Sequence, residues 1–200
     1  MGTKRILILL SGVWLVLMII GLSKLWEYSA KPGSAAQTPQ TWPQKTTIPK
    51  QTSLDSLVIF AHPDCPCSYA TVGELNEILA QVNHRLDVHV LFVTPKNPDA
   101  NWTQTRLWRA AKAIPGVSVS LDENGVESRR FGAKTSGQVN LYDPQGRLVF
   151  SGGITSARGH SGDNAGKSAI VSFINERKTT VKHTPVFGCV LYEGHETTIL

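Results

Sequence analysis

The sequence predicts one α/β domain with a mixed sheet, placed behind an apolar N-terminal segment. Three observations lead there. Short apolar runs of strand length alternate with stretches whose apolar residues recur at helical spacing. Near the end, two further short runs flank Asp143-Pro144-Gln145-Gly146, a turn sequence that predicts an antiparallel hairpin. A final helical pattern then closes the chain. Strands alternating with helices favour a parallel sheet, and the hairpin makes it mixed.

Residues 6–22 (ILILLSGVWLVLMIIGL) carry no charge, and Lys4 and Arg5 precede them. A run of this kind is at the short end of what crosses a bilayer, so the sequence predicts a transmembrane helix at 6–22 with residues 1–5 in the cytoplasm. A cleaved signal peptide is the rival reading. Residues 23–53 follow as a linker, because the stretch 31–54 holds four prolines and many Ser, Thr and Gln and reads as an extended tether. The globular domain is expected at 54–192, with 193–200 as a tail. For a bacterial chain this places the domain in the periplasm, held to the inner membrane by a single span.

Within the domain, Ser56–Ala61 is the first buried strand. Val72, Leu75, Ile78, Leu79 and Val82 mark a helix over 68–82. Val88–Val93 is the second strand, ended by Pro95 and Pro98. Trp102–Ile114 is helical, Val117–Leu121 alternates as a strand, and Asn124–Phe131 is a short helix. The hairpin strands are Val139–Tyr142 and Leu148–Phe150, and Ala165–Arg177 is the last helix. Trp102 and Trp108 read as core or lid-edge residues.

The net charge of +5 is spread along the chain without a basic stripe, which argues against a nucleic-acid partner. Gly166-Lys167-Ser168 imitates a phosphate loop, but Ser161 stands where that motif needs glycine, so no nucleotide is expected. His84, His89, His183 and His195 show no ligand spacing. Asn101-Trp102-Thr103 is a chance glycosylation sequon.

Three cysteines are too few for a disulfide scaffold and read as a site. Cys65 and Cys67 straddle Pro66 at the passage from the first strand into the first helix. A thiolate at a helix N-terminus is favoured by the oriented backbone N–H groups, so its pKa falls and its nucleophilicity near neutrality rises. Cys65 is then the nucleophile and Cys67 the thiol that resolves a mixed disulfide. Residues i and i+2 of a helix point to nearly opposite sides, so joining them needs non-helical geometry and makes a labile bond. Cys189 is a relay thiol, a metal ligand or a buried inert thiol. His62 could tune the thiolate, act as acid or base, or ligate metal. Asp64 opposes the thiolate or shuttles a proton. In the Gly-rich loop 152–166, Arg158, His160, Asp163 and Asn164 could converge on the cysteines, with Asp163 or Asn164 also suited to cap the last helix.

Taken together, SLVIFA, HPDCPCSYATVGEL and DENGVESRRFGAKTSGQVNLYDPQGRLVFSGG resemble the thioredoxin superfamily. FAHPDCPC, LWRAAKAIPGV, SGGITSARGHSGDNAG and TPVFGC resemble its small membrane-anchored members of the RedB-like and TlpA-like kind. The resemblance implies a thioredoxin-like fold, a mixed central sheet flanked by helices, over residues 54–192. It also implies thiol–disulfide exchange with protein substrates and no organic cofactor. Two departures stand out: CxC replaces the family's CxxC, and Thr135-Ser136-Gly137-Gln138 occupies the place of its cis-proline. Ser136 thereby becomes a candidate supporting residue. The alternative implied by these departures is a copper carrier, with Cys65, Cys67 and either Cys189 or a histidine (His62, His160) as ligands for a soft monovalent ion.

Overall fold

The computed structural model describes residues 2–192, so the expected tail at 193–200 lies outside the described residues. The chain divides into two compact units between Lys31 and Pro32. The first is a single helix, α1 (Thr3–Ala30), with its side chains exposed along its length. It is long and apolar enough to cross a membrane. Its 28 residues rise about 42 Å at 1.5 Å per residue. The helix therefore runs past the expected end at residue 22, because Ser23–Ala30 contains neither proline nor glycine to stop it.

The second unit is built on a five-stranded mixed sheet of order β3-β2-β1-β4-β5. Its elements are β1 (Asp55–Ala61), α2 (Ser68–Gln81), β2 (Leu86–Thr94), α3 (Arg106–Lys112), β3 (Val117–Glu123), α4 (Val126–Arg130), β4 (Gln138–Tyr142), β5 (Leu148–Gly152) and α5 (Ala165–Glu176). The three strands β1, β2 and β3 pair in parallel, and β4 pairs antiparallel with both β1 and β5. This is the thioredoxin-like arrangement of a mixed sheet flanked by helices. Strands β1 and β4 are buried at every position, as central strands covered on both faces must be. Edge strand β3 is buried only at Asp122, whose carboxylate caps α4 by accepting from the N–H groups of Glu127 and Ser128, 2.8 Å each.

Leu57, Ile59, Leu75, Ile78, Phe92, Val139 and Ile170 belong to the core on the face covered by α2 and α5. A smaller cluster around Phe60, Phe131, Tyr142 and Leu191 fills another part of the domain. The expected helix at 102–114 is divided. Asp99 caps a short 3-10 turn at Ala100–Thr103, and Thr105 then caps α3 by accepting from the Trp108 N–H. Two capping residues six positions apart start two elements in place of one. Asn164 caps α5, accepting from the Lys167 N–H at 2.8 Å. Lys167, the residue that imitates a phosphate loop, is committed to a buried ion pair with Glu74 of α2 at 2.8 Å.

The tether expected at 23–53 is not a tether. Beyond α1, residues 33–50 belong to the second unit and pack along the rest of it. Gly33 and Gln37 donate backbone hydrogen bonds to Val186 and Gly132, and Trp42 donates to Gly146. The Trp42 ring meets Phe131 and Tyr142 edge-on at 5.1 and 5.2 Å, and Ile48 is buried. Glu127 accepts from both Thr46 and Thr47 and pairs with Arg130. Proline-rich composition removes regular secondary structure, but it leaves Trp42 and Ile48 free to bury apolar surface. Gly132 shows how close the arm lies: a Cβ there would sit 2.1 Å from the Gln37 carbonyl oxygen, at a φ of +69°.

A domain beginning at Leu54 is therefore expected to lose stability relative to one beginning at Pro32. Trp42→Ala in the longer form should cost about 2–3 kcal/mol, from lost aromatic packing. Urea unfolding midpoints of the three proteins check both expectations.

Candidate functional site

The site forms where β1 ends. Strand β1 stops at Ala61, and residues 62–67 turn into α2. The Cys65 N–H donates to the His62 carbonyl at 3.0 Å, and the Cys65 carbonyl accepts from Ser68 N–H at 3.1 Å. Pro66 is exposed in this turn, and Cys67 is the residue before the first turn of α2, already in right-handed helical conformation. The fold thus sets Cys65 just before the N-terminus of α2, at the positive end of the helix dipole, which favours negative charge.

A second piece of chain arrives from the far end of the sequence. Residues 189–191 run antiparallel to Lys134–Ser136. Ser136 N–H donates to the Cys189 carbonyl at 2.8 Å, and Leu191 N–H donates to the Lys134 carbonyl at 3.0 Å. A bridge pairs Thr135 with Val190. Leu191 is buried beside Phe60 and Phe131, and Tyr192 hydroxyl donates to the Ala133 carbonyl at 2.8 Å. Gly188 permits this approach, since a Cβ there would fall 1.9 Å from the Ser136 carbonyl oxygen. The pairing delivers Cys189 to Cys65.

Cys65 is 1 % exposed, and burial pushes its pKa up. Hydrogen bonds from the Ser68 hydroxyl, the Cys189 backbone N–H, the Cys189 thiol and the Ser136 hydroxyl outweigh that and bring it down to about 7. The Ser68 and Ser136 hydroxyls are also 2.7 Å apart. Each hydroxyl has one proton, so when Ser136 donates to Ser68 only Ser68 donates directly to the sulfur, and with the opposite direction the two exchange roles. Ser136 in turn accepts from the His62 N–H at 2.8 Å, which fixes its position at the end of β1.

The other two thiols are held protonated. Burial and the neighbouring Cys65 push Cys189 up to about 12. Burial, then the Cys65 charge, raises Cys67, against an opposing hydrogen bond and charge from Arg158. Arg158 also donates to the Gly188 carbonyl at 2.6 Å, so one guanidinium joins the loop 152–166 to Cys67 and to the segment carrying Cys189. Above about pH 7 the Cys65–Cys189 pair keeps a single proton.

The remaining candidates fall elsewhere. His62 accepts from the Asp64 N–H at 3.2 Å and sets its ring edge-on to Trp102. With Trp102, Arg129 and Tyr192 it lines a cleft of about 250 Å³. Asp64 is exposed. His160 is exposed too, with its ring turned to the Arg158 carbonyl at 2.8 Å. Among the described residues no group of three or more His, Cys, Asp or Glu side chains is arranged to hold a metal ion. A cleft of about 800 Å³ lies between β5, α5 and residues 176–182 and contains no cysteine. Ser68 is the residue that sequence reasoning missed. Its signal was positional: a hydroxyl three residues after Cys65, in the first turn of α2.

Comparison with known proteins identifies the fold and little more. No family model matches the chain, and neither does any curated protein. Among solved structures, it is similar to hypothetical protein SMc02350 from Sinorhizobium meliloti 1021, with a TM-score of 0.61 and 20 % identity over 80 % of this chain and 97 % of that one. It is also similar to an uncharacterized conserved protein from Geobacillus kaustophilus, with a TM-score of 0.57 and 13 % identity over 83 % and 94 %. A secreted Mycobacterium tuberculosis disulfide oxidoreductase aligns at a TM-score of 0.44 and 14 % identity over 62 % and 82 %, a likeness too distant to carry an inference.

Titration of Cys65, followed by thiolate ultraviolet absorbance in a Cys67→Ser variant, should show a midpoint near 7. Removing a donor weakens the charged form, so Ser68→Ala should move that midpoint upward. Because folding lowers this pKa from 9.0, the folded state gains stability as pH rises from about 7 to 9 and loses it as pH falls through about 7.

Proposed function

We propose that this protein is a membrane-anchored thiol–disulfide oxidoreductase that exchanges disulfides with protein substrates outside the cytoplasm. The observation that carries the reading is the stabilised Cys65 thiolate at the N-terminus of α2, in contact with a second thiol. A sulfur that is ionised near neutrality is the reactive form for attack on a disulfide, and it is also the better leaving group. In the proposal Cys65 of the CxC motif is the reactive sulfur, and a neighbouring thiol completes the disulfide. Ser68 and Ser136 stabilise its charge. No organic cofactor enters, and protein thiols or disulfides are the substrates.

The anchor is α1, with the N-terminus in the cytoplasm, as Lys4 and Arg5 before the apolar run favour. For a bacterial chain that places the domain in the periplasm, on the inner membrane. The copper alternative, with Cys65, Cys67 and either Cys189 or a histidine as ligands, is less well supported: among the described residues no three such side chains are arranged to hold a metal ion, and His160 is exposed with its ring turned to the Arg158 carbonyl.

Cys65→Ser is expected to reduce exchange with a labelled oxidised peptide, with dithiothreitol as electron donor, to the rate of buffer alone. His160→Ala should leave the rate unchanged. Copper recovered in near-equimolar amount with the protein, and lost in His160→Ala, would overturn the reading in favour of a metal carrier.

A further inference from the structure

Resting on the thiol–disulfide reading above, we infer that the redox couple is Cys65–Cys189, and that Cys67 stands outside it. Both other thiols reach Cys65, so contact alone does not choose between them. The backbone does. Residues 65–67 are already wound toward α2: the Cys65 carbonyl accepts from Ser68 N–H, and Cys67 has φ −66° and ψ −28°. In such winding the side chains of i and i+2 diverge. A bond between Cys65 and Cys67 has to unwind this turn and give up its hydrogen bonds.

Cys189 needs no such rearrangement. Its segment is pinned on both sides of the sulfur: by Leu191 donating to Lys134 and Ser136 donating to Cys189 itself, by Arg158 donating to Gly188, and by Gly33 donating to Val186. Val186 and Leu191 are both buried. The backbone N–H and thiol of Cys189 are both directed at Cys65. Cys189 is the outer sulfur of the pair, half-buried where Cys65 is 1 % exposed.

The exchange balances as follows. Starting from the Cys65–Cys189 disulfide, a substrate thiolate attacks the Cys189 Sγ. A substrate–Cys189 bond forms, the Cys65–Cys189 bond breaks, and its electron pair leaves on Cys65, where Ser68 and Ser136 receive the charge. The second substrate thiol loses its proton and attacks the substrate sulfur, displacing Cys189, which takes a proton. The substrate dithiol is oxidised to a disulfide, and the couple is reduced by two electrons to one thiolate and one thiol. The second proton goes to solvent. In the reverse direction the Cys65 thiolate takes the Cys189 proton, Cys189 attacks a substrate disulfide, and the displaced substrate sulfur receives that proton. The Cys65 thiolate then attacks the Cys189 Sγ and releases the second substrate thiolate, which takes a proton from solvent.

The test equilibrates the full chain in detergent with mixtures of reduced and oxidised glutathione, quenches with acid, alkylates and maps disulfides by mass spectrometry. Wild type and Cys67→Ser are expected to form one intramolecular disulfide joining residues 65 and 189. Cys189→Ser should form none, and Gly188→Ala, which forces the segment off Ser136, should show a several-fold smaller oxidised fraction. Cys67→Ser alters no residue of the C-terminal segment and keeps an acceptor for Arg158, so it decides the matter even if Cys189→Ser fails to fold: loss of its disulfide overturns the inference. A 65–67 bond that persists in Cys189→Ser overturns the inference and leaves the oxidoreductase reading standing. Wild type without any intramolecular disulfide at every glutathione ratio overturns both.

Discussion

The short antiparallel contact between Lys134–Ser136 and Cys189–Leu191 makes the three cysteines one site. Two backbone hydrogen bonds register the segments, and the buried Leu191 side chain holds the register. Because register in an extended pair has a period of two, a slip of one residue would turn the 189 side chain away from Cys65. The same contact places Ser136 against Ser68 and Cys65, so the thiolate and its hydroxyl donors depend on it as well. Even the glycine at 188 is a consequence, since no side chain fits between the two segments.

Around that contact the domain is tied by buried polar groups rather than by apolar packing alone. The Glu74–Lys167 pair joins α2 to α5, and Glu74 also accepts from Gly162 N–H at 2.6 Å, fixing the loop that carries Arg158. On β4, Gln138 donates to Asn140 and Ser151, and Ser151 bonds Thr38 of the N-terminal arm. Each such group is costly if left unpaired, so these networks specify one arrangement of loops over the sheet.

The sequence made the alternating elements, the hairpin and the strand–helix position of Cys65 legible because these are local patterns: an apolar run, a turn tetrapeptide, a change of period. Ser136 was found only through a resemblance, as the residue standing where a proline was expected. What local pattern could not show were the contacts between distant segments. Nothing in TPVFGCVLY says that it pairs with KTS, and a Pro-rich stretch gives no sign that Trp42 seats against Phe131 and Tyr142. His160 was singled out by residue type, yet its neighbour Arg158 is the side chain of that loop in contact with Cys67. Lys167 misled in the opposite sense, because a short motif carries no information about a carboxylate waiting on another helix.

The distance along the chain between Cys65 and Cys189 gives their proposed pairing a meaning beyond electron transfer. A bond between them closes a loop on the order of a hundred residues, enclosing nearly the whole sheet, and in the chain-entropy picture such a closure removes about 4.7 kcal/mol of freedom from the unfolded state. A bond across a single proline would constrain almost nothing. In the proposed couple oxidation and foldedness are therefore linked: each electron pair accepted loosens the unfolded ensemble, and each one given up draws it in. The redox state of the surrounding compartment would then set how long the domain survives heat and proteases, through the same sulfur proposed to exchange disulfides.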